Sequence, residues 1–152
     1  MKKLIPGFTG LIPKGADYFE TVKRYAGYGY KLTESAMPCF CEGDPKENAK
    51  RIRDMGLELW TLGTTVQNGA YPDVKDYTRG DNFEDKPRRK VTVPRHTTPG
   101  SGIVDLQAIF MEAIKIDSLK YAIIEQDMPN KVMHDAIMQA AITNLRETGY
   151  VE

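Results

Sequence analysis

The chain has 152 residues, of which 41% are hydrophobic and 28% charged, and these values are ordinary for a single soluble globular domain. Lysine plus arginine and aspartate plus glutamate each number 21, so the net charge of zero argues against recruitment to nucleic acid by bulk charge. No apolar run is long enough for a membrane-spanning helix, and the basic start at residues 1–7 lacks the apolar stretch of a signal peptide. Because two cysteines do not make a disulfide framework either, we expect a cytoplasmic protein that does not bind membranes.

The first 63 residues alternate short apolar runs with helical patterns. Residues 4–8, 30–35 and 57–62 are predicted strands, each bounded by glycine or proline. Asp17 is a predicted helix N-cap, and apolar residues follow it at helical spacing until the glycines at 27 and 29. Asp44 is a second predicted N-cap, since proline follows it at the first helical position.

Residues 64–102 form a long, loop-rich connection in which the periodic signal is lost. Within it, only residues 73–77 and 90–93 have strand-like composition. A connection of this length inside a compact domain is usually functional or disordered. The five basic residues between 86 and 95 favour a solvated loop, because no aromatic residues alternate with them as in a nucleic-acid surface.

Periodic structure returns in the last third of the chain. Asp105 is a predicted N-cap for a helix with one apolar face, formed by Leu106, Ile109, Phe110, Ala113 and Ile114. Residues 121–124 are the clearest buried strand. Residues 133–147 form a closing helix, for which the predicted apolar positions are Ile137, Ala140, Ala141, Thr143 and Leu145. Repeated strand–helix units predict an α/β fold with a mainly parallel sheet.

Carboxylates follow two of the predicted strands. Glu125 comes directly after the strand at 121–124, and Glu34 lies at the end of the second strand. Ligands of parallel α/β folds bind beyond the carboxyl ends of the strands, where a carboxylate can bind a cation or act as a base. The alternative for both residues is a solvated loop carboxylate. A further cluster comprises Asp73, Lys75, Asp76 and Arg79, for which a solvated sheet edge is the alternative.

Two other motifs carry weaker signals. Cys39 and Cys41 are distant in sequence from the two histidines, His96 and His134, so we expect free thiols rather than a zinc site. The turn at residues 100–102 precedes a helix and can present backbone N–H groups to a phosphate, but it is not a P-loop, and glycine before a helix is commonly only a turn.

Taken together, four blocks of the chain resemble the sugar-phosphate isomerase/epimerase family, the xylose-isomerase-like TIM barrels related to endonuclease IV. Residues 20–34 resemble that family's E-x-x-K-x-x-A-x-x-G-Y-x-x-x-E pattern across its first helix and second strand. Residues 45–63 resemble the next helix and the third strand. Val-Lys-Asp-Tyr at 74–77 resembles the seventh strand, and residues 100–127 resemble helix seven and strand eight.

The resemblance implies a shortened or incomplete TIM-type barrel of about five mainly parallel strands in one domain over 1–152. Residues 1–65 correspond to barrel units one to three and residues 71–152 to units seven and eight, while units four to six have no counterpart. By the same resemblance, Glu125 and Asp73 are metal ligands, Glu125 and Glu34 are catalytic, and the substrate is bound by Arg79, Lys75 and Asp76. The family's histidine ligand is replaced by Asp73, and two further ligand positions lie on the missing strands.

These features favour an isomerase- or epimerase-like protein whose site for Mn²⁺, Mg²⁺, Co²⁺ or Zn²⁺ is incomplete in one chain, with little or no activity as a monomer. One alternative is an active, metal-dependent isomerase or epimerase completed by oligomerisation; another is a non-enzymatic binding or assembly module. The implied ligand is a small sugar or sugar phosphate. Because unpaired strand edges invite a second chain, we also expect a homo-oligomer, with a homodimer favoured.

Overall fold

A computed structural model describes residues 1–9, 12, 15–35, 43–62, 98–125 and 134–152. All of these residues lie in one compact unit, which spans 1–63 and 97–152. The strand expected at 73–77 and most of the loop-rich connection at 64–102 lie outside the described residues. Among the described residues, no helix has both the length and the apolar character that crossing a membrane requires.

The described chain contains four strands and four helices in alternation. The strands are β1 (Ile5–Phe8), β2 (Leu32–Ser35), β3 (Glu58–Leu62) and β4 (Tyr121–Ile124). The helices are α1 (Tyr18–Tyr28), α2 (Pro45–Asp54), α3 (Leu106–Ala113) and α4 (His134–Glu147). The predicted α/β class is therefore confirmed, and each of these elements falls on a segment for which the sequence predicted the same type of structure.

Aspartate side chains begin three of the helices, as predicted. The carboxylate of Asp17 accepts a hydrogen bond from the backbone N–H of Glu20 at 2.9 Å, and that of Asp105 accepts from Ala108 at 2.9 Å. Asp44 accepts from the N–H of Lys46 at 2.8 Å, directly before the proline that opens α2. Each contact satisfies a backbone donor that the first helical turn cannot pair internally.

The four strands form one parallel sheet in the order β3-β2-β1-β4. Gly7 and Phe8 of β1 pair with Leu32 and Thr33 of β2, and all of β1 pairs with β4. The pairing of β2 with β3 shifts by one residue between Thr33 and Glu34, and the extra residue on β3 is Trp60. The last described strand therefore lies beside the first, and β3 and β4 are the outer strands of the described sheet.

All four helices contribute to a single core on one face of the sheet. Phe8 is at its centre, with its ring edge-on to those of Tyr25 and Tyr30 at centroid distances of 5.2 and 5.3 Å. The buried helical residues of this core are Val22, Tyr25, Ile52, Met138, Ala141, Ile142 and Leu145, and α3 adds the partly buried Leu106, Phe110 and Ala113. The described part of the molecule thus has a helical layer on one side of its sheet.

The opposite face of the sheet carries a second set of apolar side chains. Leu32 is fully buried there, although it does not belong to the helical core. The rings of Trp60 on β3 and Tyr121 on β4 lie 5.8 Å apart between centroids, although β2 and β1 separate their strands. Three strand spacings in a flat sheet span about 14 Å. Contact between the two rings therefore indicates that the sheet curves toward this face.

The chain end is attached to the amino end of β1. Val151 pairs with Leu4 in a parallel bridge, with backbone hydrogen bonds of 2.8 Å from Leu4 to Tyr150 and 3.0 Å from Glu152 to Leu4. Arg146 reinforces the attachment because its guanidinium donates to the backbone carbonyls of Tyr28, Gly29 and Glu152 at 3.0, 3.2 and 2.7 Å. These contacts join the last turn of α4 to the end of α1.

Two predicted helical faces are partly wrong. On α3, Ile109 is half-exposed, whereas the other predicted apolar residues pack against the core. On α4, Ala140 and Thr143 are exposed, and Met138 and Ile142 are buried instead. The hydroxyl of Thr143 donates to the carbonyl of Gln139 at 3.0 Å, so this side chain satisfies its polar group on its own helix and faces outward.

Candidate functional site

The carboxyl edge of the sheet brings Glu34 and Glu125 onto one row. Phe8 pairs with Thr33 on one side and with Ile124 on the other. One residue further along, Thr9 continues β1 between the two carboxylates, and its N–H donates to the carbonyl of Ile124 at 3.0 Å. Glu34 and Glu125 are thus separated by one strand, which corresponds to roughly 9–10 Å between their Cα atoms.

Strand alternation directs these carboxylates away from the helical layer. The neighbouring residues Thr33 and Ile124 are buried, and Ile124 belongs to the helical core. Side chains of successive strand residues point to opposite faces, so Glu34 and Glu125 are directed to the curved face. Glu34 is half-buried and Glu125 is exposed, so both carboxylates are open to a ligand from solvent.

The strand residues that precede this row carry apolar, tightly packed side chains on the same face of the sheet. A Cβ atom built on Gly7 would lie 2.6 Å from the side chains of both Leu32 and Ile123, so any larger residue at this position would have to displace them. Beside them, Trp60 remains half-exposed and shares the face with Tyr121. The candidate site therefore combines carboxylates at the strand ends with an aromatic surface on the same face.

The remaining predicted site residues lie outside the described residues. These are the predicted metal ligand Asp73 and the predicted substrate-binding residues Lys75, Asp76 and Arg79, together with Cys39, Cys41 and His96 from the weaker motifs. Within the described ranges, no group of three or more histidine, cysteine, aspartate or glutamate side chains is placed to hold a metal ion. Glu125 follows β4, which is an outer strand of the described sheet.

Two aromatic residues near the site were not singled out by the sequence. Trp60 is the only tryptophan of the chain, and it occupies the extra position of an irregularity in the β2–β3 pairing. A single tryptophan within a short strand was the available signal, but the strand pattern alone assigns it no role. Tyr121 was predicted as a strand residue, and its contact with Trp60 depends on sheet curvature, which sequence periodicity does not encode.

Chemically, the described row supplies two carboxylates and one hydroxyl. Carboxylate oxygens are suitable ligands for hard divalent cations and suitable bases for proton abstraction. A divalent cation at an enzyme site normally takes more protein ligands than two. Two carboxylates and one hydroxyl are therefore too few, by themselves, for a catalytic cation site.

Comparisons with known proteins assign no family to the chain. No family model matches it, and neither a curated protein nor a solved structure matches it significantly.

Proposed function

We propose that this chain is a shortened sugar-phosphate isomerase/epimerase-like barrel, with a carboxyl edge that binds a divalent cation together with a small sugar or sugar phosphate. The observation that carries the proposal is the shared row of Glu34, Thr9 and Glu125 at the carboxyl ends of parallel strands. This is the edge at which barrels and open parallel sheets bind their ligands.

Two features of the fold favour a barrel-type arrangement over a doubly wound sheet, since the strand order β3-β2-β1-β4 is common to both. The described helices share one core, whereas a doubly wound sheet distributes its helices over both faces. The contact between Trp60 and Tyr121 requires curvature away from the helices, in the direction that closes a barrel.

The proposed chemistry assigns each carboxylate a role. Glu125 is a cation ligand, and Glu34 is the base that removes a proton α to a carbonyl. A divalent cation held by Glu125 would supply the electrophile that polarises that carbonyl, since isomerisation and epimerisation both need one beside the base. Asp73 is the proposed second ligand, and Arg79, Lys75 and Asp76 are the proposed substrate contacts. Glu125 and Asp73 are fewer ligands than a divalent cation normally takes at an enzyme site. In the proposed arrangement, a second copy of the chain completes the site, and the monomer has little or no activity.

A second candidate function is a non-enzymatic binding or assembly module. The observation that favours it is that the described residues bring together only two carboxylates and no larger group of metal ligands. Such a module binds the cation or the sugar without exchanging a substrate proton.

Cation binding tests the site. We expect calorimetric titration with Mn²⁺, Co²⁺ or Mg²⁺ to show saturable binding that Glu125→Gln or Glu34→Gln weakens at least tenfold. Glu58→Gln is the matched control, because Glu58 is an exposed carboxylate at the opposite end of β3. Equal binding by all three variants, or no binding by the unmodified chain, would refute the proposed site.

Proton exchange in deuterated water then separates the two candidate functions. A ketose or inosose incubated with the cation-loaded assembly loses its α-proton signal if the chain is an isomerase or epimerase. Retention of that signal together with cation binding identifies a binding module. Exchange by a verified monomer would contradict the proposal that a second copy completes the site.

A further inference from the structure

A buried histidine joins the first turn of α4 to α1. The side chain of His134 is 1% exposed, and its ring stacks on that of Tyr25 at a centroid distance of 5.9 Å and an angle of 30°. Its Nδ1 atom forms a hydrogen bond with the Tyr25 hydroxyl. Its Nε2 atom is also buried and has no hydrogen-bond partner in the described part of the chain.

Among the described residues, the charged groups near this pair are Asp135 and Arg24. Asp135 follows His134 on α4 and accepts a hydrogen bond from Nε of Arg24 on α1 at 2.8 Å. Burial raises the pKa of Tyr25 well above its ordinary range, and the carboxylate of Asp135 raises it further. Tyr28 on α1 and Tyr30 after it are the other titratable groups near Tyr25, and the hydroxyl of Tyr30 is occupied by the carbonyl of Met138 at 2.8 Å.

Protonation of His134 adds a hydrogen-bond donor to this buried pair. A neutral imidazole carries one N–H, and a protonated one carries two. The Tyr25 oxygen can accept from Nδ1, but a proton on Nε2 is buried and has no acceptor among the described residues. A buried ionised group without a partner is strongly unfavourable, so acid favours a conformation in which the imidazolium reaches water.

We propose that the His134–Tyr25 pair is an acid-sensitive latch that holds α4 against α1 while the imidazole is neutral and releases it when the imidazole is protonated. The pair contains the first residue of α4, and a terminal turn can separate from its neighbour without unfolding of the whole unit. The inference does not rest on the proposed function, because neither residue belongs to the candidate site.

The latch lies at the same end of the sheet as the candidate site. The last turn of α4 lies at the amino end, where Val151 pairs with Leu4. Its first turn therefore lies toward the carboxyl end, and His134 follows Glu125 by nine residues. When the contact between His134 and Tyr25 breaks, the first turn of α4 can move away from α1 close to this edge of the sheet.

The sign of the pH dependence follows from burial. Burial lowers the pKa of His134 in the folded chain, and the charge of Asp135 offsets this only in part. The unfolded chain, in which histidine titrates at about 6.5, therefore binds the proton first as the pH falls. The stabilising contribution is complete above that value and is lost as the pH falls toward the folded-state pKa. Within this window the unfolding equilibrium constant rises by up to about tenfold per pH unit.

Nuclear magnetic resonance on the variant His96→Gln tests the latch directly. The chain has two histidines, so this variant leaves His134 as the only imidazole signal. We expect this signal to titrate below the ordinary histidine range. As it titrates, the amides of residues 138–142, which donate within α4, should lose protection relative to their intrinsic exchange rate at each pH. Titration at an ordinary histidine pKa with unchanged exchange would overturn the proposal.

Chemical denaturation between pH 7.5 and 5.5 gives an independent readout. We expect the full chain and His96→Gln to lose stability as the pH falls, and His134→Gln to lose less over the same interval. An equal loss in His134→Gln would overturn the latch. If His134→Gln does not fold, the titration and exchange of His96→Gln alone decide.

Discussion

At the residue scale, side-chain packing on the face of the sheet opposite the helices depends on the glycine at position 7. A Cβ atom on Gly7 would lie 2.6 Å from Leu32 Cδ2 and Ile123 Cδ1 and 3.2 Å from the carbonyl oxygen of Leu32. Because Leu32 is fully buried, it has little space to move aside. This requirement is steric rather than conformational, since Gly7 does not have a positive φ angle.

We expect Gly7→Ala to lower the free energy of unfolding by about 1–3 kcal/mol, the usual cost of overpacking a core. The matched control is Gly27→Ala in α1, where a Cβ atom meets nothing within 4 Å. An alanine in that helix should stabilise the chain by about 0.5–1 kcal/mol. Urea denaturation of both variants measures the difference, and an equal effect of the two substitutions would contradict the steric explanation.

At the scale of elements, the sequence predicted helix starts better than helix faces. Aspartate caps are local, so Asp17, Asp44 and Asp105 were identifiable from the residues that follow them. The buried face of α4 was misplaced because the predicted positions included Ala140 and Thr143, which are exposed, and omitted Met138 and Ile142, which are buried. The short α3 is apolar at several angles, and its sequence alone does not indicate that Ile109 points outward.

The same local cap should have different global effects in different helices. Asp17→Ala removes the cap of α1, which buries Val22 and Tyr25, so we expect a loss of about 1 kcal/mol of global stability. Asp105→Ala removes the cap of α3, in which no residue is fully buried. There we expect faster hydrogen exchange confined to residues 106–113, with little change in the global unfolding midpoint.

Hydrogen exchange and urea denaturation on the two variants measure both effects. Asp105→Asn is the control, because asparagine retains the capping oxygen and should leave exchange in α3 nearly unchanged. A comparable loss of global stability for both alanine variants would show that α3 unfolds together with the core.

At the scale of the whole molecule, periodicity identified the strands but not their order. The order β3-β2-β1-β4 places β4 beside β1, and both closed barrels and doubly wound sheets contain this arrangement. Half of the candidate site was predictable, because Glu34 and Glu125 follow strand patterns. The aromatic contact was not, because it depends on curvature accumulated over four strands.

The distribution of exposed apolar residues predicts self-association. Residues 103–116 expose a run of large apolar side chains, which comprises Ile103, Val104, Ile109, Met111 and Ile116. An apolar surface of this kind usually marks an interface, and the net charge of zero gives two copies no overall repulsion. We therefore expect a homodimer in sedimentation at tens of micromolar.

Two variants of the same helix test whether α3 forms this interface. Ile109→Arg should shift the chain to a monomer, whereas Gln107→Arg adds the same charge at an exposed polar position and should not. A monomeric unmodified chain would contradict the expected dimer, and equal behaviour of the two variants would exclude α3 as its interface.

The pairing of Val151 with Leu4 holds the first and last residues of this chain in one part of the fold. Because the bridge is parallel, residues 1 and 152 leave it in opposite directions, so a peptide ligated between them must span about 13 Å, or roughly four extended residues, to close the backbone without strain in the folded state. Cyclisation would restrict mainly the unfolded ensemble and should raise the melting temperature. It should also leave the carboxyl edge unchanged, because the junction lies at the opposite end of the sheet. The same position is therefore suited to a tether for immobilisation or for a reporter domain.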